Sequence, residues 1–348
     1  MTDTQLADAT VKAGPGRGTS WWRDEAREPL RRNLGLVAVL VALLVLGAVT
    51  RPDLYGDSAW VTSNIFTILK QASAIGVITV GMTFVIIGGG IDLSVGAIVA
   101  LAGVWCTTVA TQSFGPGGMI FTALVVGTSV GLVNGVLISY GRLVPFIATL
   151  AMMVAARGLA AQISGKQTQV SRSPDINAIA TIRILGIPLL VIILAVVVAA
   201  GWVLLNRTTF GRRTVAVGGN PEAARLAGIN VRWHTVLLYA LSGLCCGIGA
   251  IMLTSQATSA QAAMANLYEL DAIAAAIIGG TLLSGGRGTI IGALFGVIVF
   301  STITNLFAVN NLPTEVQNMV KGGIIVAAVL VQQFRFAAVT HLFQRTKG

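Results

Sequence analysis

Residues 64–87 read NIFTILKQASAIGVITVGMTFVII, residues 88–92 read GGGID, and residues 93–112 read LSVGAIVALAGVWCTTVATQ. The first run carries one charge in 24 residues. At a rise of ~1.5 Å per residue it is long enough to cross a hydrocarbon layer ~30 Å thick. A membrane strand would need only about half that length and would alternate apolar and polar positions. These runs are solidly apolar, so they are read as membrane helices interrupted by a glycine-rich turn.

The rest of the chain repeats this pattern. Of its 348 residues 55% are hydrophobic and 10% charged, where soluble domains carry ~25% charged residues. Mean hydropathy is +0.82. A soluble chain of this size would lack the polar surface to cover itself. Ten windows approach or reach spanning length: 34–50, 64–87, 93–112, 119–139, 143–164, 184–205, 233–255, 270–284, 289–309 and 314–334. The expected fold is an all-α integral membrane protein of about ten transmembrane helices. Its parts are a flexible tail over 1–33, a polytopic domain over 34–334 and a second tail over 335–348. Arg31-Arg32 ahead of an apolar run resembles a twin-arginine export signal, but no small-x-small cleavage site follows.

The net charge of +10 has a directional meaning. With the N-terminus inside, the interior segments hold 16 Lys and Arg against four on the outside, Arg51, Lys166, Arg172 and Arg183. That asymmetry places both termini in the cytoplasm. No basic run with interleaved aromatics suggests nucleic acid. Cys106, Cys245 and Cys246 lie in apolar runs, and their spacing suits neither a disulfide framework nor a metal site.

Two hairpins are broken by glycine in similar ways, Ile87–Gly96 and Ile278–Gly288, and form a weak internal repeat. Glycine there allows positive φ and close backbone approach. Irregular backbone at membrane depth often marks a transport path, and tight loops between packed helices would read the same way. Asp92 is either the cap of the following helix or a contact on that path, with Ser94 beside it and Ser284 in the corresponding position of the second hairpin.

The basic loop 206–232 carries a full set of helix punctuation. Asn220 suits an N-cap, Pro221 the first helical position, Glu222 the positive first turn and Gly228 the residue past the end. A helix over 221–227 is predicted. One this short persists only by packing, either on its own membrane domain or, through Ala223, Ala224, Leu226, Ala227 and Ile229, on a partner subunit. Gly218, Gly219 and Arg225 complete this candidate contact.

Lys70, Arg157 and Lys321 lie toward the outer ends of their windows, at depths similar to Glu269, Asp271 and Glu315. They are expected to form ion pairs at an outer gate or to snorkel to the headgroups. Asn134, Ser139, Thr149, Thr302 and Asn305 are polar positions inside windows, suited to interhelical hydrogen bonds or to the lining of a path. Aromatic residues make up only 6%. A sugar site usually offers an aromatic platform, so a low-affinity passage is expected, with specificity set elsewhere.

Several stretches together resemble the permease subunits of bacterial ATP-binding-cassette importers for ribose, xylose, arabinose and galactofuranose. They are Gly81–Ile86 running into Gly89–Gly96, Pro145–Leu150 with Arg157-Gly158, and Gly211. Ala216–Asn220, Ala223-Ala224, Gly228-Ile229 and Leu241–Leu244 continue the series, which ends with Glu269–Ala274 through Gly279-Gly280 to Ser284–Gly286. The resemblance covers roughly residues 60 to 335. It implies a multi-pass protein of the bacterial inner membrane that pairs with a second permease copy or paralogue. Two cytoplasmic ATPase subunits would drive it, and a periplasmic binding protein would supply the sugar. It also implies that helix 221–227 is the coupling helix. The residues agree with such a division of labour. A GxxxxGK[ST] phosphate loop is missing, since Gln167 follows Gly165-Lys166 and residue 160 is Ala. With His234 and His341 the only histidines, no catalytic or metal constellation is suggested. The chain is expected to bind no cofactor of its own, with ATP and magnesium on the ATPase. Permeases for an autoinducer, a nucleoside or a branched-chain amino acid remain alternatives, and an ion-coupled secondary transporter is a more distant one.

Overall fold

In a computed structural model the chain is a bundle of helices. The structure describes the backbone of residues 20–345 and the side chains of residues 33–330. The helices are α1 (Ser20–Thr50), α2 (Pro52–Tyr55), α3 (Ser58–Ile87), α4 (Val95–Cys106), α5 (Val109–Gln112), α6 (Gly115–Ser139), α7 (Pro145–Ile163), α8 (Pro174–Ala178) and α9 (Leu189–Arg207). They continue as α10 (Thr209–Gly219), α11 (Pro221–Leu226), α12 (Val231–Ala257), α13 (Tyr268–Ile278), α14 (Ile290–Val309) and α15 (Thr314–Arg345). Strand β1 (Gln169–Val170) pairs antiparallel with β4 (Ser259–Ala260), and β2 (Arg183–Ile184) with β3 (Ile187–Pro188).

Helix α3 is the central post. Asp57 caps it by accepting the Ala59 N–H at 2.9 Å, and its residues from Ala72 to Ile87 are buried without a break. Around it pack α12, α14, α9 and α13. The tightest pairing lies between α6 and α12, where glycines at a spacing of four meet across the seam. A Cβ on Gly127 or Gly131 would strike the carbonyls of Gly243 and Tyr239, and one on Gly135 would lie 2.6 Å from Val236 Cα. From the other side, a Cβ on Gly247 would lie 2.6 Å from the Ala123 carbonyl oxygen. In lipid there is no hydrophobic force between helices, so association rests on this close packing.

Among the described residues seven helices are long and apolar enough to cross a membrane: α3, α6, α7, α9, α12, α14 and the Asn33–Thr50 part of α1. The windows 93–112 and 270–284 hold helices of only 12 and 11 residues, α4 and α13, or about 18 and 16 Å of rise. Neither reaches across ~30 Å of hydrocarbon. Helix α4 owes its apolarity to enclosure by protein. Every residue of α4 except Trp105 is buried. At its end the Thr107 hydroxyl turns back onto the carbonyls of Gly103 and Val104 at 2.9 and 3.0 Å, which satisfies the terminal acceptors. The window 314–334 falls within the 32-residue α15.

Helix runs into both segments expected as tails. Helix α1 begins at Ser20, and α15 continues to Arg345. Residues 20–33 hold four Arg and two Glu, good helix formers that prolong a helix beyond its apolar part. A change in composition marks where apolarity stops, which is not where a helix must stop. Residues 1–19 and 346–348 lie outside the described residues. Past α1, Arg51 donates to the Val309 carbonyl at 2.7 Å and pairs with Asp53 at 2.9 Å. That hydrogen bond holds the exposed Asp53 carboxyl below the ordinary aspartate value.

The seam makes a specific demand. Gly131→Ala places a methyl group against the Tyr239 backbone and is expected to cost about 1–3 kcal/mol by overpacking. Gly117→Ala, where nothing lies within 4 Å, is expected to be silent. Thermal unfolding of the detergent-solubilised protein compares the two, and equal midpoints would remove the seam from the account.

Candidate coupling and translocation sites

The punctuation of loop 206–232 acts as the sequence predicts. Asn220 Oδ1 accepts the Ala223 N–H at 3.0 Å, Pro221 opens α11, and Gly228 turns at φ +83°. The Ile229 N–H then bonds the Ala224 carbonyl and the Gly228 N–H the Arg225 carbonyl, both at 3.0 Å. This double closure is a Schellman motif. Only Ala224 is buried on α11; Leu226 is 79% exposed, and Glu222 pairs with Arg225 at 2.9 Å in the open. The helix therefore rests on its own chain by one alanine and presents an apolar tip outward.

The sequence reading missed α10, which precedes it. Its signals were present: Thr208 accepts the Gly211 N–H as a cap, and Gly211, Thr214 and Val217 form a buried face at helical spacing. The run of arginines disguised it as a loop.

Helix α10 ends on glycines that meet both hairpins. A Cβ on Gly218 would strike the Ile87 carbonyl and lie 2.7 Å from Gly286 N. A Cβ on Gly285 would lie 2.8 Å from Gly218 O and 2.9 Å from Gly89 Cα. The hairpins also touch directly, the Gly286 N–H donating to the Ile87 carbonyl at 2.8 Å. Gly89, Gly285 and Gly286 have φ of +85°, +81° and +74°, conformations that side chains with a Cβ rarely adopt. Three chain segments far apart in sequence thus converge, backbone on backbone, beside Asn220. The hairpins are also reversed in order: the short helix α4 follows the first, and the short helix α13 precedes the second. Ser284 is exposed in the second turn.

Asp92 is fully buried at the start of α4. Its Oδ1 accepts the backbone N–H of Ser94 at 3.0 Å and the Ser94 hydroxyl at 2.6 Å, and its Oδ2 accepts the Ser242 hydroxyl at 3.1 Å. Asn134 Nδ2 donates to Ser94 Oγ at 2.8 Å. The network pins the turn to α6 and α12. Asn305 sits elsewhere, donating to Asn64 Oδ1 at 3.0 Å between α14 and α3.

At the other end of the bundle Asp271 and Lys321 pair at 3.3 Å, their side chains 13% and 18% exposed, with the ammonium 5.2 Å from the Phe300 ring. Arg157 donates instead to carbonyls of the segment entering α13, Ala262 at 2.8 Å and Met264 at 3.3 Å. Glu269 is buried nearby. A Cβ on Gly96 would lie 2.5 Å from Glu269 Oε2 and 3.4 Å from Arg157 Nη2, so this glycine leaves the room in which the two groups approach. Glu315 is exposed.

A bundle of long and half-length helices with glycine-turned hairpins is the architecture of a membrane permease, and the sequence falls in such a family. Residues 64–329 match the family described as branched-chain amino acid transport system / permease component. The chain belongs to this permease family. Similar proteins include the ribose import permease protein RbsC of Bacillus subtilis (strain 168), 39% identical over 308 residues, which cover 88% of this chain and 94% of that one. The galactofuranose transporter permease protein YtfT of Escherichia coli (strain K12) is 35% identical, covering 86% of this chain and 89% of its own. The L-arabinose ABC transporter permease protein AraH of Azospirillum brasilense is also 35% identical, covering 94% and 93%. No solved structure matches the chain.

The pair between α13 and α15 is open to a cycle of substitutions. Asp271→Asn or Lys321→Met alone leaves a poorly hydrated partner and is expected to cost about 3 kcal/mol. The double variant is expected to recover most of that loss in thermal unfolding. Additive single losses would mean that the two groups do not depend on each other.

Proposed function

We propose that this chain is the membrane-spanning permease of an ATP-driven importer for a monosaccharide. In this reading a periplasmic binding protein delivers the sugar. Cytoplasmic ATPase subunits, which hold the ATP and Mg²⁺, drive its passage, and a second copy or paralogue completes the pore in the bacterial inner membrane. The proposed topology keeps the ten apolar windows with both termini inside, those of α4 and α13 entering the membrane as half-length helices, and is supported by the excess of Lys and Arg in the interior segments.

The observation that carries the reading is α11, a capped two-turn helix with an exposed Leu226. Through Asn220 it is one peptide from the glycine junction. In the proposed mechanism the ATPase grips α11, and the rigid stub α10 passes its movement to both hairpins at once. The hairpins in turn carry α4 and α13, the half-length helices around which the path opens and closes. At the outer end Arg157, Glu269, Asp271 and Lys321 are the proposed gate, while Asp92, Ser94 and Asn134 hold the first hairpin in shape. Ser284 and Asn305 are placed along the path as positions where a hydroxyl-rich solute finds partners.

The family description names branched-chain amino acids, while relatives at 35–39% identity are permeases for ribose, galactofuranose and arabinose. The latter support a sugar. Uptake by cells expressing the whole transporter, tested with labelled pentoses and hexoses against leucine and valine, decides between them, and transport of the amino acids alone would overturn the sugar assignment.

Two sets of variants test the coupling route. Gly228→Val strains a positive φ, and Glu222→Arg opposes the helix dipole and reverses the docking charge. Each is expected to abolish uptake while the permease still inserts; normal uptake in both would refute the role of α11. Gly218→Ala is expected to lower sugar-stimulated ATP hydrolysis at least tenfold, whereas Gly219→Ala, whose Cβ meets nothing within 4 Å, is expected to leave it unchanged.

A further inference from the structure

A pocket of 250 Å³ opens between the start of α10 and the start of α12. Phe210 and Leu237 give it apolar walls, Arg213, Asn230 and Trp233 bring polar groups to it, and the buried His234 shares Nε2 with the Thr214 hydroxyl at 2.9 Å. Neither α11 nor the proposed gate accounts for it.

We propose that this pocket holds the phosphate headgroup of an anionic phospholipid from the leaflet on the side of loop 206–232. Charge is the first ground. Arg213 makes no hydrogen bond or ion pair among the described residues. It stands in a loop with five arginines and a single acid, Glu222, which is already paired with Arg225. The second ground is donor chemistry. Asn230 uses Oδ1 to accept the Trp233 N–H at 3.0 Å as the cap of α12, which leaves its amide NH₂ as a donor. The guanidinium supplies a fork suited to two phosphate oxygens.

Depth is the third ground. The pocket adjoins the end of α9, whose best membrane window is 28% buried and so faces lipid over most of its surface. Trp233 is 51% exposed at the pocket, and Arg207 lies 5.5 Å from the Trp202 ring at the same end of α9. Tryptophan and arginine together mark the headgroup level. Basic pockets between helices at that level suit anionic headgroups. A volume of 250 Å³ suits a phosphodiester and a small alcohol with the acyl chains left outside along α9.

Assigning the leaflet to the cytoplasm rests on the proposed topology; the binding itself does not. Arg225→Cys, at an exposed position, reads the side independently with a membrane-impermeant maleimide, since Cys106, Cys245 and Cys246 are buried. Labelling from outside would overturn the topology and leave the lipid result standing.

The full-length protein in nanodiscs of phosphatidylcholine, titrated with phosphatidylglycerol, is expected to retain phosphatidylglycerol on extraction into detergent. Arg213→Gln is expected to weaken this retention about fivefold, and Arg225→Gln to leave it unchanged. If Arg213→Gln fails to fold, quenching of wild-type tryptophan fluorescence by brominated phosphatidylglycerol serves instead. It is expected to exceed that by brominated phosphatidylcholine, and the excess is expected to vanish in Trp233→Phe. Equal retention by Arg213→Gln and wild type, or equal quenching by the two lipids, would overturn the proposal. Displacement of the lipid by millimolar inorganic phosphate would assign the pocket to a soluble anion and overturn the lipid source.

Discussion

Backbone meets backbone where Gly218 lies against Ile87, Gly89, Gly285 and Gly286. No side chain intervenes, so there is no flexible arm to absorb a displacement. Packed interiors yield little and transmit strain, and a contact between main chains is the stiffest form of such packing. The hydrogen bond from Gly286 N–H to the Ile87 carbonyl joins the hairpins to each other. The end of α10 therefore meets a pair that moves as one body. The placement of α4, α13 and α11 relative to one another depends on this contact.

The polar groups within the bundle fall into two kinds. Asp92, Ser94, Asn134 and Ser242 form a connected set of hydrogen bonds around one turn. A carboxylate buried in apolar surroundings persists only when such partners replace its water. The resulting turn is specified in shape, because any slip of α4 breaks several bonds at once. At the far end Arg157 serves backbone carbonyls of the turns that precede α13. Charge there completes the hydrogen bonding of irregular backbone, the condition for such backbone to exist at membrane depth.

Much of this was legible in the residues. The apolar windows, the capping of α11 and the shared depth of Asp271 and Lys321 follow from local chemistry, and each has a structural counterpart. What was not legible depends on who the neighbours are. Windows 93–112 and 270–284 look like their companions because hydropathy registers burial in protein and burial in lipid alike; only the path of the chain reveals that α4 and α13 stop halfway. The glycines of α6 at 127, 131 and 135 are spaced as a packing motif, yet their partners lie about a hundred residues further on in α12. Helix α10 was hidden because it lies in a stretch, 206–232, whose five arginines give a loop-like composition, although Thr208 and the face Gly211, Thr214 and Val217 mark a helix. Some of Lys70, Arg157 and Lys321 were expected to pair with Glu269, Asp271 or Glu315; the structure pairs Lys321 with Asp271 and turns Arg157 onto main-chain oxygens that no sequence pattern displays.

The seam between α6 and α12 has a further consequence for how this sequence can drift over time. In an ordinary core an enlarged side chain can be accommodated by a shrunken neighbour, so pairs of positions exchange volume and the sequence wanders while the fold stays. Where Gly127 and Gly131 abut Gly243, and Gly247 abuts Ala123, that exchange is closed, since glycine has no smaller substitute to give way. Such positions are immobile in sequence space. Variation is left to the lipid-facing sides of α1, α6, α7 and α9, where one apolar residue serves as well as another.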